Sequence, residues 1–190
     1  MSELVGKPAP DFALEGVLHG KFDRYSLVKG KWNILLFYPL DFTFVCPTEV
    51  IAFSKHYAEF EKLGAVVYGV SVDSKYAHLA WTNSPEKQGG VGDINYPLLA
   101  DLNKEVAKAY RVESGGVALR GLFIIDDEGV VQSAIINNLS VGRSVAETLR
   151  LLKAFQYTKS HGEVCPANWD EGGDTMVPDP DGLKDYASKH

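Results

Sequence analysis

The chain is poor in cysteine, since its 190 residues include only Cys46 and Cys165. Small secreted domains depend on several disulfides, and two cysteines cannot form such a framework. No secretory signal is expected, because Glu3, Lys7 and Pro8 interrupt the apolar run that a signal requires. The cytosol keeps ordinary thiols reduced. The sequence therefore favours a cytoplasmic protein with a reactive thiol pair over a disulfide-stapled secreted one.

Basic residues and long apolar runs are also scarce. The 19 Lys and Arg are outnumbered by 25 Asp and Glu, which gives a formal net charge of −6. Nucleic acids and anionic membrane surfaces bind basic faces, so neither is an expected partner. No stretch approaches the ~18–20 apolar residues that cross a bilayer. Hydrophobic content of 45% and charged content of 23% instead indicate an ordinary globular domain.

The apolar periodicity predicts an α/β fold. Residues 32–38 and 65–72 are almost wholly apolar, as buried strands are, and residues 47–63 between them have helical spacing. Gly121–Asp126 and Val130–Ile136 flank Asp-Glu-Gly, a hairpin signature. Helices are also expected near residues 74–84, 104–110 and 145–155. This order is typical of a mixed sheet flanked by helices.

The predicted domain organisation has a boundary at residue 157. Residues 1–157 contain no linker or repeat and are expected to form one domain. Residues 158–190 are rich in glycine and proline, show little periodicity and carry Cys165. We expect this segment to form a C-terminal arm that lies over a surface of the domain or of a partner.

Cys46 lies at a predicted strand-to-helix junction, one residue before Pro47. In the first turn of a helix the backbone N–H groups lack intrahelical partners and the dipole favours negative charge. Both effects stabilise a thiolate, which is the nucleophilic form of cysteine. Cys165 lies in a second Val-Cys-Pro sequence. The pair predicts redox chemistry at sulfur, although an inert buried cysteine is a common alternative.

These motifs resemble those of a typical two-cysteine peroxiredoxin, the group that includes the peroxidase component of bacterial alkyl hydroperoxide reductase. The active-site pattern Pro-x-x-x-Thr-x-x-Cys matches Pro39, Thr43 and Cys46. The second pattern, Glu-Val-Cys-Pro-Ala followed by Trp, matches residues 163–167 and Trp169. The resemblance covers essentially the whole chain. It implies a thioredoxin-like fold with an N-terminal extension and a C-terminal arm.

The resemblance also implies roles for individual residues. Cys46 would attack the peroxide and become a sulfenic acid, and Cys165 of the partner subunit would resolve it as a disulfide. The residues expected around the sulfur are Pro39, Thr43, Glu49, Arg120 and Arg143. Glu49, one helical turn after Cys46, is expected to hold an arginine by bidentate pairing, with a partner for the helix dipole alone as the alternative. From the residues alone, Thr43 also fits a loop threonine bonded to local backbone, and Arg120 fits a solvated surface arginine.

The implied activity is a thiol peroxidase acting on hydrogen peroxide and alkyl hydroperoxides. Thioredoxin or a flavoprotein disulfide reductase would restore the thiols, and homodimers would assemble into a ring such as a decamer. No cofactor or metal is expected, because the histidines lack metal-ligand spacing. A thioredoxin-like disulfide oxidoreductase would need Cys-x-x-Cys, whereas Pro-Thr-Glu follows Cys46. A non-enzymatic holdase or scaffold is the other alternative.

Overall fold

The computed structural model of the chain describes residues 2–190. These residues fall into two compact units, of which the first ends at Arg143 and the second comprises Ser144–His190. The first unit contains short helices and nine strands within its described residues. In chain order they are a 3-10 helix (Ser2–Leu4), β1 (Leu14–Leu18), β2 (Lys21–Tyr25), β3 (Trp32–Phe37), α1 (Cys46–Lys55), α2 (Tyr57–Lys62), β4 (Ala65–Ser71), α3 (Lys75–Asn83), a 3-10 helix (Glu86–Gln88), β5 (Leu98–Ala100), α4 (Glu105–Ala109), β6 (Glu113–Ser114), β7 (Val117–Ala118), β8 (Arg120–Ile125) and β9 (Val131–Asn137).

Seven of these strands form a mixed sheet in the order β2-β1-β5-β4-β3-β8-β9. Strand β4 pairs in parallel with β3 and β5, whereas the β1–β2, β1–β5, β3–β8 and β8–β9 pairs are antiparallel. Strands β6 and β7 form a separate two-stranded ribbon. The mixed sheet and flanking helices confirm the predicted fold class.

The centre of the sheet is buried on both faces. Every residue of β3 and β8 is buried, which explains why their sequences contain no alternation of polar and apolar residues. Beneath them the rings of Phe37, Tyr110 and Phe123 pack together, with centroids 5.0–5.8 Å apart. These packed rings support β3 and β8; Arg120 is the first residue of β8, and Pro39 and Thr43 follow the end of β3.

The predicted β8–β9 hairpin is confirmed. Asp126 closes its turn, because its Oδ1 accepts the backbone N–H groups of Glu128 and Val130 at 2.9 Å each. Gly129 has a φ of +85°, a backbone conformation that glycine adopts without steric cost.

Other elements differ from the expectations. The helix predicted over 47–63 is two helices, since α1 ends at Lys55 and α2 begins at Tyr57, with His56 at a non-helical ψ of 7°. The β1–β2 hairpin and β5 were not predicted. The hairpin's strand β2 is a mostly exposed edge strand, and β5 has only three residues. Neither presents a long apolar run in the sequence.

The second unit contains α5 (Val145–His161) and α6 (Pro180–Lys189). Between them Val164 and Met176 form an antiparallel bridge, with N···O distances of 2.9 and 3.1 Å. Helix α6 was not expected in a segment read as having little periodicity. Its start is nevertheless encoded, because Asp179 caps the N–H of Gly182 at 2.6 Å and Pro180 occupies the first turn.

The division into a domain at 1–157 and an arm at 158–190 stays a prediction, and helix α5 crosses that boundary. Among residues 2–190, no helix has the length and apolar character needed to cross a bilayer.

Gly16 provides a test of how tightly the sheet is packed. A Cβ on this buried residue would lie 2.6 Å from the backbone oxygen of Leu98 on the neighbouring strand. We expect Gly16→Ala to lower the free energy of unfolding by about 1–3 kcal/mol, since backbone must move to admit the methyl group. Urea denaturation measures this change, and an unaltered midpoint would contradict the packing described.

Candidate active site

Cys46 is the first residue of α1 and has no exposed surface. No side chain caps this helix; the carbonyl of Val45 accepts the backbone N–H groups of Thr48 and Glu49 at 3.1 and 3.3 Å. Pro47, in the first turn, has no N–H to satisfy. The sulfur therefore lies at a positive helix end, as the sequence predicted.

Arg120 begins β8 and brings a positive charge to the sulfur. Its side chain is 4% exposed, and its Nη1 donates to Cys46 Sγ at 3.5 Å and to Glu49 Oε2 at 2.6 Å. Its Nε donates to the carbonyl of Leu139 at 2.7 Å. The expectation of a solvated surface arginine, which the residues alone favoured, is wrong.

Glu49 lies one helical turn after Cys46 and binds two arginines. Arg143 Nε donates to Glu49 Oε1 at 2.6 Å, and Arg143 Nη2 donates to Oε2 at 2.9 Å. The backbone N–H of Arg143 also donates to Oε1, at 2.7 Å. Glu49 therefore orients both guanidinium groups, so its role exceeds that of a partner for the helix dipole.

Arg143 also joins the sheet to this network. Its Nη1 donates to the carbonyls of Phe37 and Gly121, at the end of β3 and the start of β8, at 2.6 and 2.7 Å. Burial lowers the pKa of the Arg143 guanidinium, and its hydrogen bonds to Glu49 oppose that shift. The network therefore contains two buried cations, Arg120 and Arg143, and one carboxylate, Glu49. Its net charge is +1. A thiolate at Cys46 makes the group neutral.

A cavity of about 450 Å³ opens beside this network. Pro39, Thr43 and Arg120 line it together with mainly apolar residues, namely Leu40, Phe44, Val45, Val117, Leu139 and Ser140. Thr43 Oγ1 donates to the carbonyl of Leu40 at 2.8 Å. This local bond uses its proton, so the lone pairs of the hydroxyl oxygen stay available to accept a hydrogen bond in the cavity.

A buried polar cluster holds the loop that carries Pro39 and Thr43. Asp41 accepts from the Tyr38 hydroxyl at 2.8 Å, and its other oxygen lies 2.7 Å from Nδ1 of His78. The backbone N–H of Asp41 donates to Asp73 at 2.9 Å. Burial raises the pKa of the Asp41 carboxyl, and His78 opposes that shift. This cluster was not predicted.

Cys165 belongs to the second unit and is partly buried. Its S–H donates to the carbonyl of Ala154 on α5 at 3.8 Å. Burial raises the pKa of this thiol, and Arg150 acts in the opposite direction. Arg150 is held in place because its Nη1 donates to the carbonyl of Trp169 at 2.7 Å. Cys165 thus rests in an environment unlike that of Cys46. Both cysteines are free thiols.

Comparison with known proteins identifies the family. Residues 5–134 match the AhpC/TSA family, and residues 154–189 match the C-terminal domain of 1-Cys peroxiredoxin. Peroxiredoxin-2 of Rattus norvegicus is 56% identical over 98% of this chain and 96% of its own. The chain belongs to the AhpC/TSA family. Together with the solved structures described next, this match makes it a typical two-cysteine peroxiredoxin, a thiol peroxidase.

Solved structures support the same conclusion. The reduced 2-Cys peroxiredoxin of Plasmodium vivax superposes with a TM-score of 0.95 at 45% identity, covering 97% of this chain and 98% of that one. Thioredoxin peroxidase I of Plasmodium yoelii gives a TM-score of 0.78 at 46% identity, covering 88% and 99%. These matches confirm the thioredoxin-like fold, and neither alternative function is favoured.

Several groups that shape this peroxiredoxin's candidate site were not predicted because they belong to the backbone. The carbonyls of Phe37, Gly121 and Leu139 each accept from an arginine of the network. Any residue type supplies a carbonyl, so the sequence contains no signal for them. Within residues 2–190 no cluster of three or more His, Cys, Asp or Glu side chains is arranged to hold a metal.

Arg120 provides the sharpest test of the network. We expect Arg120→Met to slow peroxide cleavage by about 10²–10³-fold, because a donor aimed at developing charge is lost. Arg120→Lys should recover part of the rate, since it keeps the charge and loses the planar fork. Stopped-flow peroxide consumption measures both, with exposed Arg24→Met as the matched control. A normal rate in Arg120→Met would remove this residue from the active site.

Proposed function

We propose that Cys46 is the nucleophile of this peroxidase. The supporting observation is the 3.5 Å contact between its Sγ and Arg120, within a buried group that a thiolate neutralises. The thiolate attacks the peroxide oxygen that carries hydrogen, so that an S–O bond forms as the O–O bond breaks. The attacked oxygen keeps its hydrogen, and the leaving oxygen takes a proton from water and departs as water or alcohol. Cys46 is thereby oxidised to a sulfenic acid.

Arg120 and Thr43 position the peroxide in this proposal. Both line the cavity, and Arg120 also contacts the sulfur. The guanidinium stabilises charge on the leaving oxygen, and the Thr43 oxygen accepts a hydrogen bond from the hydroxyl group of the bound peroxide. Buried Pro39 has no N–H and forms part of the wall that excludes water. Hydrogen peroxide and alkyl hydroperoxides are the proposed substrates.

Cys165 of the partner subunit is the proposed resolving thiol. Its sulfur attacks the Cys46 sulfenic acid, an S–S bond forms, and the hydroxyl leaves as water. The resemblance to typical two-cysteine peroxiredoxins supports this pairing between the two chains of a homodimer, and it supports assembly of dimers into a ring. A reducing, cytoplasmic location fits the two free thiols. Thioredoxin is the proposed reductant, in line with the name of the Plasmodium yoelii relative.

The two cysteines should differ in single-turnover experiments. Cys46→Ser should abolish peroxide reduction, because a hydroxyl is too weak an acid to supply the nucleophile. Cys165→Ser should still consume one equivalent of peroxide at the normal rate, since the Cys165 thiol acts only after the Cys46 sulfenic acid has formed. Rapid-mixing peroxide assays check both variants. Normal consumption by Cys46→Ser would overturn the assignment of the nucleophile.

Mild oxidation should link Cys46 and Cys165 between chains. We expect a dimer band on a non-reducing denaturing gel, absent from either cysteine variant. Thioredoxin with its reductase should convert this dimer band to monomer. If thioredoxin fails and a flavoprotein disulfide reductase that acts directly on this protein succeeds, the proposed reductant is wrong. A fast-running oxidised monomer would place both cysteines of the disulfide in one chain.

A further inference from the structure

Asn137 is the last residue of β9 and lies directly opposite Arg120 in the antiparallel ladder. Its side-chain amide turns back onto the loop that follows the strand. Nδ2 donates to the carbonyl of Val141 at 3.2 Å and to that of Gly142 at 3.4 Å. One side chain therefore ties the two ends of the loop of residues 138–142 together.

Both ends of this loop hold the catalytic network. Near its start, the carbonyl of Leu139 accepts from Arg120 Nε at 2.7 Å. Just after its end, the backbone N–H of Arg143 donates to Glu49 Oε1 at 2.7 Å. Glu49 in turn accepts from Arg120 Nη1 at 2.6 Å. The position of Arg120 beside Cys46 thus depends on the loop through two separate connections.

Gly142 shows how closely the loop approaches Glu49. A Cβ at this position would lie 3.2 Å from Glu49 Cγ and 3.4 Å from Glu49 Oε1. Its φ is not in the left-handed region, so the need for glycine here comes from space rather than from backbone conformation. A methyl group here would require Glu49, which orients both arginines, to shift by a few tenths of an ångström.

We propose that Asn137 is a positioning residue for peroxide cleavage. It holds the loop at the place where Leu139 and Arg143 orient Arg120 and Glu49 around the sulfur. Asn137 is not part of the cavity wall and acts through Arg120. This role rests on the proposed roles of Cys46 and Arg120.

The first test replaces the amide by an apolar group of similar size. In a Cys165→Ser background, Asn137→Leu should slow oxidation of Cys46 by hydrogen peroxide by about tenfold, from loss of two modest hydrogen bonds. Gln132→Leu is the matched control: this amide lies on the same strand and donates to Asp126, at the opposite end of the hairpin. It should leave the rate unchanged.

A double-mutant cycle distinguishes positioning from a general structural effect. If Asn137 acts through Arg120, Asn137→Leu should have little further effect once Arg120→Met is present. The pH profile of Cys46 alkylation by iodoacetamide should also move in Asn137→Leu toward that of Arg120→Met. Additive rate losses in the double variant would overturn the proposal. So would an Asn137→Leu variant whose pH profile of Cys46 alkylation is the same as that of the parent protein.

Gly142→Ala tests the same loop from its other end and is available if Asn137→Leu does not fold. It should slow oxidation of Cys46 and be non-additive with Arg120→Met in the same way. An unchanged rate in Gly142→Ala, or in folded Asn137→Leu, overturns the role of the loop. If Arg120→Met itself has a normal rate, the proposed active site fails instead, and the two failures are therefore distinguishable.

Discussion

The carboxylate of Glu49 is shared by two buried guanidinium groups, and the rest of the active site depends on this arrangement. Arg120 comes from the start of β8, Arg143 follows the loop after β9, and Glu49 lies on α1. Removing one partner from a buried ionic group costs about 3–5 kcal/mol, because the remaining charge is left without compensation. The contacts that surround Cys46 therefore also fix the positions of α1, β8 and the loop after β9 relative to one another.

This coupling connects folding to chemistry. Arg143 reaches the carbonyls of Phe37 and Gly121 only when β3 and β8 are paired, and Glu49 reaches both arginines only when α1 is docked. The cation beside the sulfur is consequently in place before a peroxide enters. Preorganised charge of this kind needs no rearrangement at the moment of reaction. It explains why a buried, costly ionic cluster lies at the edge of the core.

Strong local patterns in the sequence predicted much of this arrangement. The features that were not predicted depend on contacts between residues far apart in the chain. The β3 run, the turn at Asp127–Gly129 and the position of Cys46 at a helix start depend on neighbouring residues and were confirmed. Arg120 is separated from Cys46 by 74 residues, and only the family resemblance brought it to the site. The contribution of Leu139 comes from a backbone carbonyl, which leaves no mark in a sequence. Helix α6 went unpredicted because Asp-Pro-Asp-Gly suggests a turn as readily as a cap.

The two thiols differ in what each needs in order to react. Cys46 lies at the start of α1 beside Arg120, next to a buried group of two arginines and one glutamate whose net charge is positive. Cys165 donates to the carbonyl of Ala154, and burial raises its pKa, so the neutral thiol is favoured in its resting place. Neighbouring residues hold it there: Val164 bridges Met176, and Glu163 accepts from Thr175. In the proposed mechanism Cys46 reacts where it lies, whereas Cys165 must leave the carbonyl of Ala154 before it becomes a nucleophile.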